Sequence, residues 1–340
     1  MSLKVTLADI ALELNTTAAT VSRALSGDHS ISEKTKKKVL AAAGRLNYKP
    51  NMIAASLRKG QSGNIGVIIP SAEINFFGSV VHGIENLANK NGFNVLIYQS
   101  NELFESEVKG IETFLSARVD GILVSIAKQT KDFDHFIMAK DSGIPIVFFD
   151  RSKEDLGIRS VVINDTKGAY LATKHLIEQG YTRVAHISGP QHLKIFNDRL
   201  KGYRSALADA NLPVDETLIY NGDVSIEAGR LAIAHFSKMN NPPDAVFAVE
   251  DFTALGAIKE LKAQNIKIPE DFGVIGFANE GFGEHITPTL STIDQQTVQM
   301  GMNSFDLLLK LMNNETAGLT EQQFVLEPIP VLRESSNRLK

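Results

Sequence analysis

A rhythm running from Ile65 to Asn279 constrains this chain more than any other feature. Short, continuously apolar, β-branched runs recur as IGVIIP (65–70), NVLIYQS (94–100), GILVS (121–125), IPIVFFD (144–150), SVVIND (160–165), VAHISG (184–189), LIYNGD (218–223), AVFAVE (245–250) and GVIGFAN (273–279). Between them lie amphipathic stretches such as VVHGIENLANKNG (80–92) and AYLATKHLIEQG (169–180), each closed by a glycine that suits a helix stop. A strand that is apolar along both faces must be covered on both, so the alternation predicts parallel sheets layered with helices. Two such sheets are needed for this many strands, and the series divides near Ile163 into two Rossmann-like α/β halves. Ligands of open parallel sheets bind beyond the carboxyl ends of the strands, which here means a cleft between the halves.

The first sixty residues are of another kind. They hold ten Lys/Arg against four Asp/Glu, a charge of +6, whereas the rest of the chain carries −10. A basic head on an acidic body suits a head that meets a polyanion. There is no cysteine, which excludes disulfides and thiolate metal sites. The opening MSLKVTLADIALELN mixes acids into its apolar positions, and no run approaches a membrane span; a cytoplasmic protein without membrane contact is expected.

Within the head, Leu7, Ile10, Ala11 and Leu14 stand at helical spacing, with Thr6 as N-cap and Asp9 three residues on. Asn15 and Thr16 end that helix. Thr17 offers a second N-cap before a short stripe of Val21, Ala24 and Leu25 that stops near Ser26-Gly27, and a third helix from Glu33 to Leu46, capped by Ser32, is expected to close the core with Val39, Leu40, Ala43 and Leu46. This is the pattern of a helix-turn-helix, whose second helix lies in the DNA major groove. Its outward face, read as Ala18, Ala19, Ser22 and Arg23, would confront base edges, with Thr17, Thr20 and Ser26 on phosphates. Arg23 is the residue there able to hold guanine with two hydrogen bonds. Pro50 stops the third helix, and the residues after it could form only about two turns, too few to be stable alone in water.

VTLADIA, ATVSRAL, SEKTKKKVL and LNYKPNMIAASLR, in register over more than fifty residues, resemble the DNA-binding head of the lactose-repressor/galactose-repressor (LacI/GalR) family of transcription regulators. The resemblance implies a dimeric repressor on a pseudo-palindromic operator. It places further DNA contacts at Thr6, Ser30, Tyr48, Asn51, Ala54 and Ser56, and implies that 51–57 is a hinge helix whose Leu57 wedges into the minor groove. It also implies a two-lobed, periplasmic-binding-protein-like body of parallel sheets. The expected α/β organisation is a head at 1–50, hinge and linker at 51–63, and a body at 64–340, with one lobe from 64–163 and 294–325 and the other from 164–291 and 326–340.

Strand ends supply the candidate effector contacts. Phe76 and Phe77 follow the first strand, where an aromatic can stack on a sugar or base, and Ser125, Asp150 and Arg151 end later strands of that half. In the other half Asn164, Asn197, Arg199, Glu250, Phe252 and Asn279 fall at or near matching family positions. Asp150 would accept hydroxyl hydrogen bonds and Arg199 would donate. The chain departs from the family twice: Ala278 stands where an aspartate is common, and Glu250-Asp251 where Asn-Asp is frequent. Asn279 or Glu280 is left to replace the missing carboxylate. The expected effector is a sugar, sugar derivative or sugar phosphate, with a nucleoside or purine second, and no cofactor or metal is expected.

Enzyme signatures are weak. GFGEH (281–285) lacks the third glycine of a dinucleotide fingerprint, with Ile286 in its place, and the eight histidines show no paired metal spacing. The rival functions are a small-molecule receptor without a gene-control role, against which the head argues, and a DNA-bending protein indifferent to ligands. FVLEPIPVLRESS is followed by no leucine heptad, so a dimer is expected in place of a tetramer.

Overall fold

The computed structural model describes residues 5–48, 61–315 and 321–338. Two compact units result, Met1–Ser62 and Gly63–Lys340.

In the first unit, α1 (Leu7–Glu13), α2 (Ala18–Leu25) and α3 (Glu33–Arg45) enclose Ile10, Ala11, Val21, Ala24, Val39, Ala42 and Ala43. Each helix begins as its sequence dictates. Asp9 Oδ2 accepts both the backbone N–H and the hydroxyl of Thr6 at 2.7 Å, Thr17 Oγ1 accepts from Thr20 N at 3.1 Å, and Ser32 Oγ from Thr35 N at 3.3 Å. These bonds satisfy N–H groups that have no partner inside a helix. Leu40 corrects the expected core: it is 58% exposed, because the helical phase that buries Val39, Ala42 and Ala43 turns residue 40 outward.

The second unit is built on β1 (Asn64–Ile69), β2 (Asn94–Gln99), β3 (Gly121–Val124), β4 (Ile146–Phe149), β5 (Arg159–Ile163), β6 (Val184–Ser188), β7 (Ile219–Asn221), β8 (Ala245–Ala248) and β9 (Gly273–Ile275), the nine runs read from the sequence. Three short strands join them, β10 (Thr292–Asp294), β11 (Gln323–Leu326) and β12 (Ile329–Val331). One sheet has the order β11-β5-β4-β3-β1-β2 and another β7-β6-β8-β9, parallel throughout, while β10 and β12 pair antiparallel. The chain passes from the first sheet to the second after β5, returns after β10, and leaves again after β11. Strand order reverses at β1 in the first sheet and at β6 in the second, and crevices open at such switch points.

The helices of this unit are α4 (Asn75–Lys90), α5 (Phe104–Ala117), α6 (Asp134–Asp141), α7 (Asp165–Glu178), α8 (Lys194–Asp209), α9 (Ile226–Phe236), α10 (Asp251–Ala263) and α11 (Thr297–Met312). α11 packs on α4 with backbones nearly touching: a Cβ on Gly83 would meet Val298 O at 2.2 Å, and one on Gly301 would meet Val80 O at 2.0 Å. Burial in β2 departs from the two-sided cover expected. Leu96 and Ile97 on this edge strand are 38% and 54% exposed.

Candidate nucleic-acid interface and ligand cavity

On α2 the exposed side chains are Ala18, Ala19 and Arg23, preceded by exposed Thr17 and followed by exposed Ser26. Ser22 is a correction: it is buried with Val21 and Ala24 on the inner face, one residue away in phase from the surface that Ala19 and Arg23 share. The Thr17 and Thr20 hydroxyls lie 2.9 Å apart in the cap, and Ser26 Oγ donates to Arg23 O at 3.0 Å. Thr6 and Ser30 are exposed at helix starts and turns, whereas Tyr48 is half-buried against the small core. Asn51, Ala54, Ser56 and Leu57 lie outside the described residues.

In the body a cavity of about 330 Å³ opens beyond the carboxyl ends of both sheets. Of the residues singled out from sequence it brings together Phe76, Phe77, Asp150, Arg151, Arg199, Glu250 and Phe252. Both phenylalanines are buried, meeting edge to face with centroids 5.0 Å apart. Four others do not reach its wall. Ser125 lies behind it, donating Oγ to Asp150 Oδ2 at 3.3 Å. Asn164 caps α7 by accepting from Lys167 N at 3.0 Å, and Asn197 is exposed on α8, where it lines a separate cleft of about 290 Å³ with Lys194 and Asp198. Asn279 gives Nδ2 to Asp294 Oδ2 at 3.1 Å and accepts from Arg333 Nη2 at 3.0 Å.

The position of Ala278 is now filled in a specific way. Its methyl group reaches the cavity from a backbone with φ of 135°, a region that L residues rarely adopt, and it offers no hydrogen bond. The carboxylate comes from Glu280, whose Oε1 accepts from Phe76 N at 3.1 Å, one of the N–H groups at the start of α4 that Ile74 cannot cap. Asp251 fixes the loop from behind, accepting from Glu280 N at 2.7 Å and from the Thr292 hydroxyl at 2.6 Å. Wall residues that sequence reading did not single out include Lys128, Ile195, Phe196, Ser225 and Gln295. Gln295 directly follows β10, a strand not read from the sequence, and the others lie in loops or on α8. The adjacent apolar pair Ile195-Phe196 at the start of α8 was the one available signal.

Burial governs the electrostatics. It pushes Glu250 up to about 8, helped by the neighbouring charges of Asp251 and Glu280. Asp165 and Asp251 are each raised to about 6, again by burial, and Asp150 and Glu280 move in the same direction for the same reason. Such shifts in a cleft mark a site built to interact with something polar. Among the described residues no His, Cys, Asp and Glu cluster has the makings of a metal site, and no helix is long and apolar enough to cross a membrane.

Residues 6–51 match the family described as bacterial regulatory proteins, lacI family, and residues 62–330 match periplasmic binding proteins and sugar binding domain of LacI family. The chain is 30% identical over 334 residues to the HTH-type transcriptional repressor PurR of Vibrio campbellii, covering 98% of this chain and 99% of that one. Among solved structures it is similar to the Lac repressor dimer bound to operator and the anti-inducer ONPF, with a TM-score of 0.87 and 25% identity over 98% of this chain and 99% of the other. It is also similar to the transcriptional regulator CelR–cellobiose complex, with a TM-score of 0.72 and 28% identity over 97% and 99%.

Proposed function

This chain belongs to the LacI family, DNA-binding transcriptional repressors that carry an effector-binding domain, and we propose that it acts in the cytoplasm as a dimer on a pseudo-palindromic operator, with a sugar or sugar derivative in the cavity setting its affinity for DNA. Arg23 reads a base, Ala18 and Ala19 allow close approach of α2, and Thr17, Thr20 and Ser26 take phosphates. The hinge contacts at Asn51, Ala54, Ser56 and Leu57 belong to the same reading.

One observation carries it: a single chain joins an exposed, hydrogen-bond-poor face on α2 to an aromatic-walled cavity with buried carboxyl groups in its wall. Phe76, Phe77, Phe196 and Phe252 give the flat apolar surface on which a sugar ring packs, and Asp150, Glu250 and Glu280 give acceptors for its hydroxyls. The cellobiose in the CelR relative supports a sugar over a purine. The dimeric Lac repressor and the open Leu96-Ile97 edge support two copies working together. The relatives it resembles are transcriptional repressors.

The test is selection of operators from random duplexes by the full chain, followed by titration of the selected duplex with and without a panel of sugars. A coupling typical of such proteins, about 1–3 kcal/mol, changes operator affinity roughly 5–150-fold. Selected sequences without two-fold symmetry would overturn the dimeric reading, and a panel that stabilises the body yet leaves DNA affinity fixed would overturn the coupling.

A further inference from the structure

The cavity's charges narrow its occupant, on the premise that it is the effector site. Its basic residues are each engaged with an acid away from the wall. Arg199 gives Nε to Asp165 at 2.8 Å, and Arg151 gives Nη1 and Nη2 to Glu102 at 2.7 and 3.1 Å. Lys128 stands between Glu102 at 3.8 Å and Asp223 at 3.9 Å.

The cavity's own carboxyl groups have no such close cationic partners. Glu250 accepts from Phe252 N at 2.6 Å and Glu280 from Phe76 N at 3.1 Å; among the described residues neither has a lysine or arginine within ion-pair distance. Asp150 has the Ser125 hydroxyl at 3.3 Å and a long ion pair to Arg151 Nε at 3.8 Å, as loose as that of Lys128 to Glu102. Asp150 and Glu280 are 6% and 4% exposed, so water screens them little. Glu250 avoids the cost of a buried charge by keeping its proton, and a ligand that brings a cation lets that proton leave to solvent and the carboxylate form beside it. A phosphate would meet three carboxyl groups, and Arg151 Nε, the guanidinium N–H without a hydrogen-bond partner, already faces Asp150 at 3.8 Å.

We propose that the cavity selects a sugar-sized ring bearing a protonated amine, with the ammonium group held by Glu250, Glu280 and Asp150, and rejects the phosphorylated ring of the same size. The amine and the parent sugar share the ring, so the apolar wall treats them alike. The carboxylates alone distinguish them.

The experiment is thermal-shift and calorimetric titration of the full chain with glucose, galactose and mannose, each as the parent sugar, the 2-amino-2-deoxy sugar and the 6-phosphate. The expected result for at least one ring is an amino sugar at least tenfold tighter than its parent, with no binding of the phosphate. In Glu250→Gln and, separately, Glu280→Gln that advantage should fall several-fold; each amide still offers an oxygen to its backbone N–H, and the ligand-free melting temperature checks that the variant is folded. A parent sugar bound as tightly as its amine, or a phosphate bound more tightly than either, overturns the proposal and leaves the effector reading standing. Retention of the full advantage in both folded variants also overturns it. If no compound of any charge shifts the protein, the sugar-effector reading fails and this proposal fails with it.

Discussion

Arg199 and Asp165 hold each other between α8 and α7, with Nε 2.8 Å from Oδ1, and the same guanidinium lies 3.7 Å from the centroid of the Phe277 ring. Both side chains are almost wholly buried, and Arg199 also donates Nη1 to Val249 O at 2.6 Å, at the end of β8. Its position in the cavity wall is therefore inseparable from its role in joining two helices to the second sheet. Arg199→Ala should leave Asp165 buried without its partner, at a cost of about 3–5 kcal/mol. Urea unfolding of the isolated body would register this as a lower midpoint. Asp150→Asn, with no helix pair resting on it, should leave the midpoint nearly unchanged while weakening the effector, which would separate binding from folding. Equal midpoints for Arg199→Ala and the parent would mean that the pair carries little of the fold.

Glu250 gives stability a predictable pH dependence. Burial raises its carboxyl to about 8 from an ordinary value of 4.5, so between these pH values the folded state holds a proton that the unfolded state has lost. Its contribution is fully present below about pH 4.5 and is lost as pH rises through about 8. Glu250→Gln, which keeps an acceptor for Phe252 N, should remove that loss. The melting temperatures of parent and variant should converge near pH 5 and separate by a few degrees at pH 8.5, with the variant higher. A constant separation across the range would show that the amide acts through packing. His186 works in the opposite sense: burial lowers it to about 4 from 6.5, so its contribution is present above about pH 6.5 and fades as pH falls towards 4.

Much of this architecture was legible because its causes are local. Nine continuous apolar runs became nine strands, and Thr17 and Ser32 became caps, since a hydroxyl before a helical stripe has few better partners than the free N–H groups ahead of it. β10 was missed because Thr292-Ile293-Asp294 forms no continuous apolar run, and β12 because Pro330 interrupts its run. The cavity was legible as a place and less so as a list. A strand end fixes where Cα lies, but not where the side chain is engaged: Asn164 went to a helix cap, Asn279 to Asp294 and Arg333. Glu280 reached the wall because Asp251 holds its backbone, a contact across 29 residues that no motif announces.

The head should bind through charge and choose through Arg23. Its exposed guanidinium on α2 makes Arg23→Ala a test of base reading, with an expected loss of about 1–3 kcal/mol on the preferred half-site and a weaker ranking among half-sites. Binding of parent and variant should fall steeply with added salt, as neutralised phosphates require. Gel-shift titrations from low to moderate salt would measure both effects. A flat salt dependence would move the DNA surface away from this helix.

Ala18 and Ala19 are exposed while Ser22 is buried, which divides α2 into an outer face, proposed to meet bases, and a face that meets the core. Alanine methyl groups can touch a thymine methyl or let the helix lie close, but they accept and donate nothing. Ala18→Gln or Ala19→Gln adds an amide able to hold adenine, so operators selected by either variant should differ from the parent's at one or two positions per half-site, with the best affinity within about tenfold. Ser22→Ala should act elsewhere: it alters the inner face, so the melting temperature of the head should change while the ranking of half-sites stays the same. Selection from random duplexes for all three variants, beside thermal unfolding of the isolated 1–62 head, separates these outcomes. A Ser22→Ala variant that re-ranks half-sites without a change in stability would place that residue on the reading face and invert the assignment of the helix.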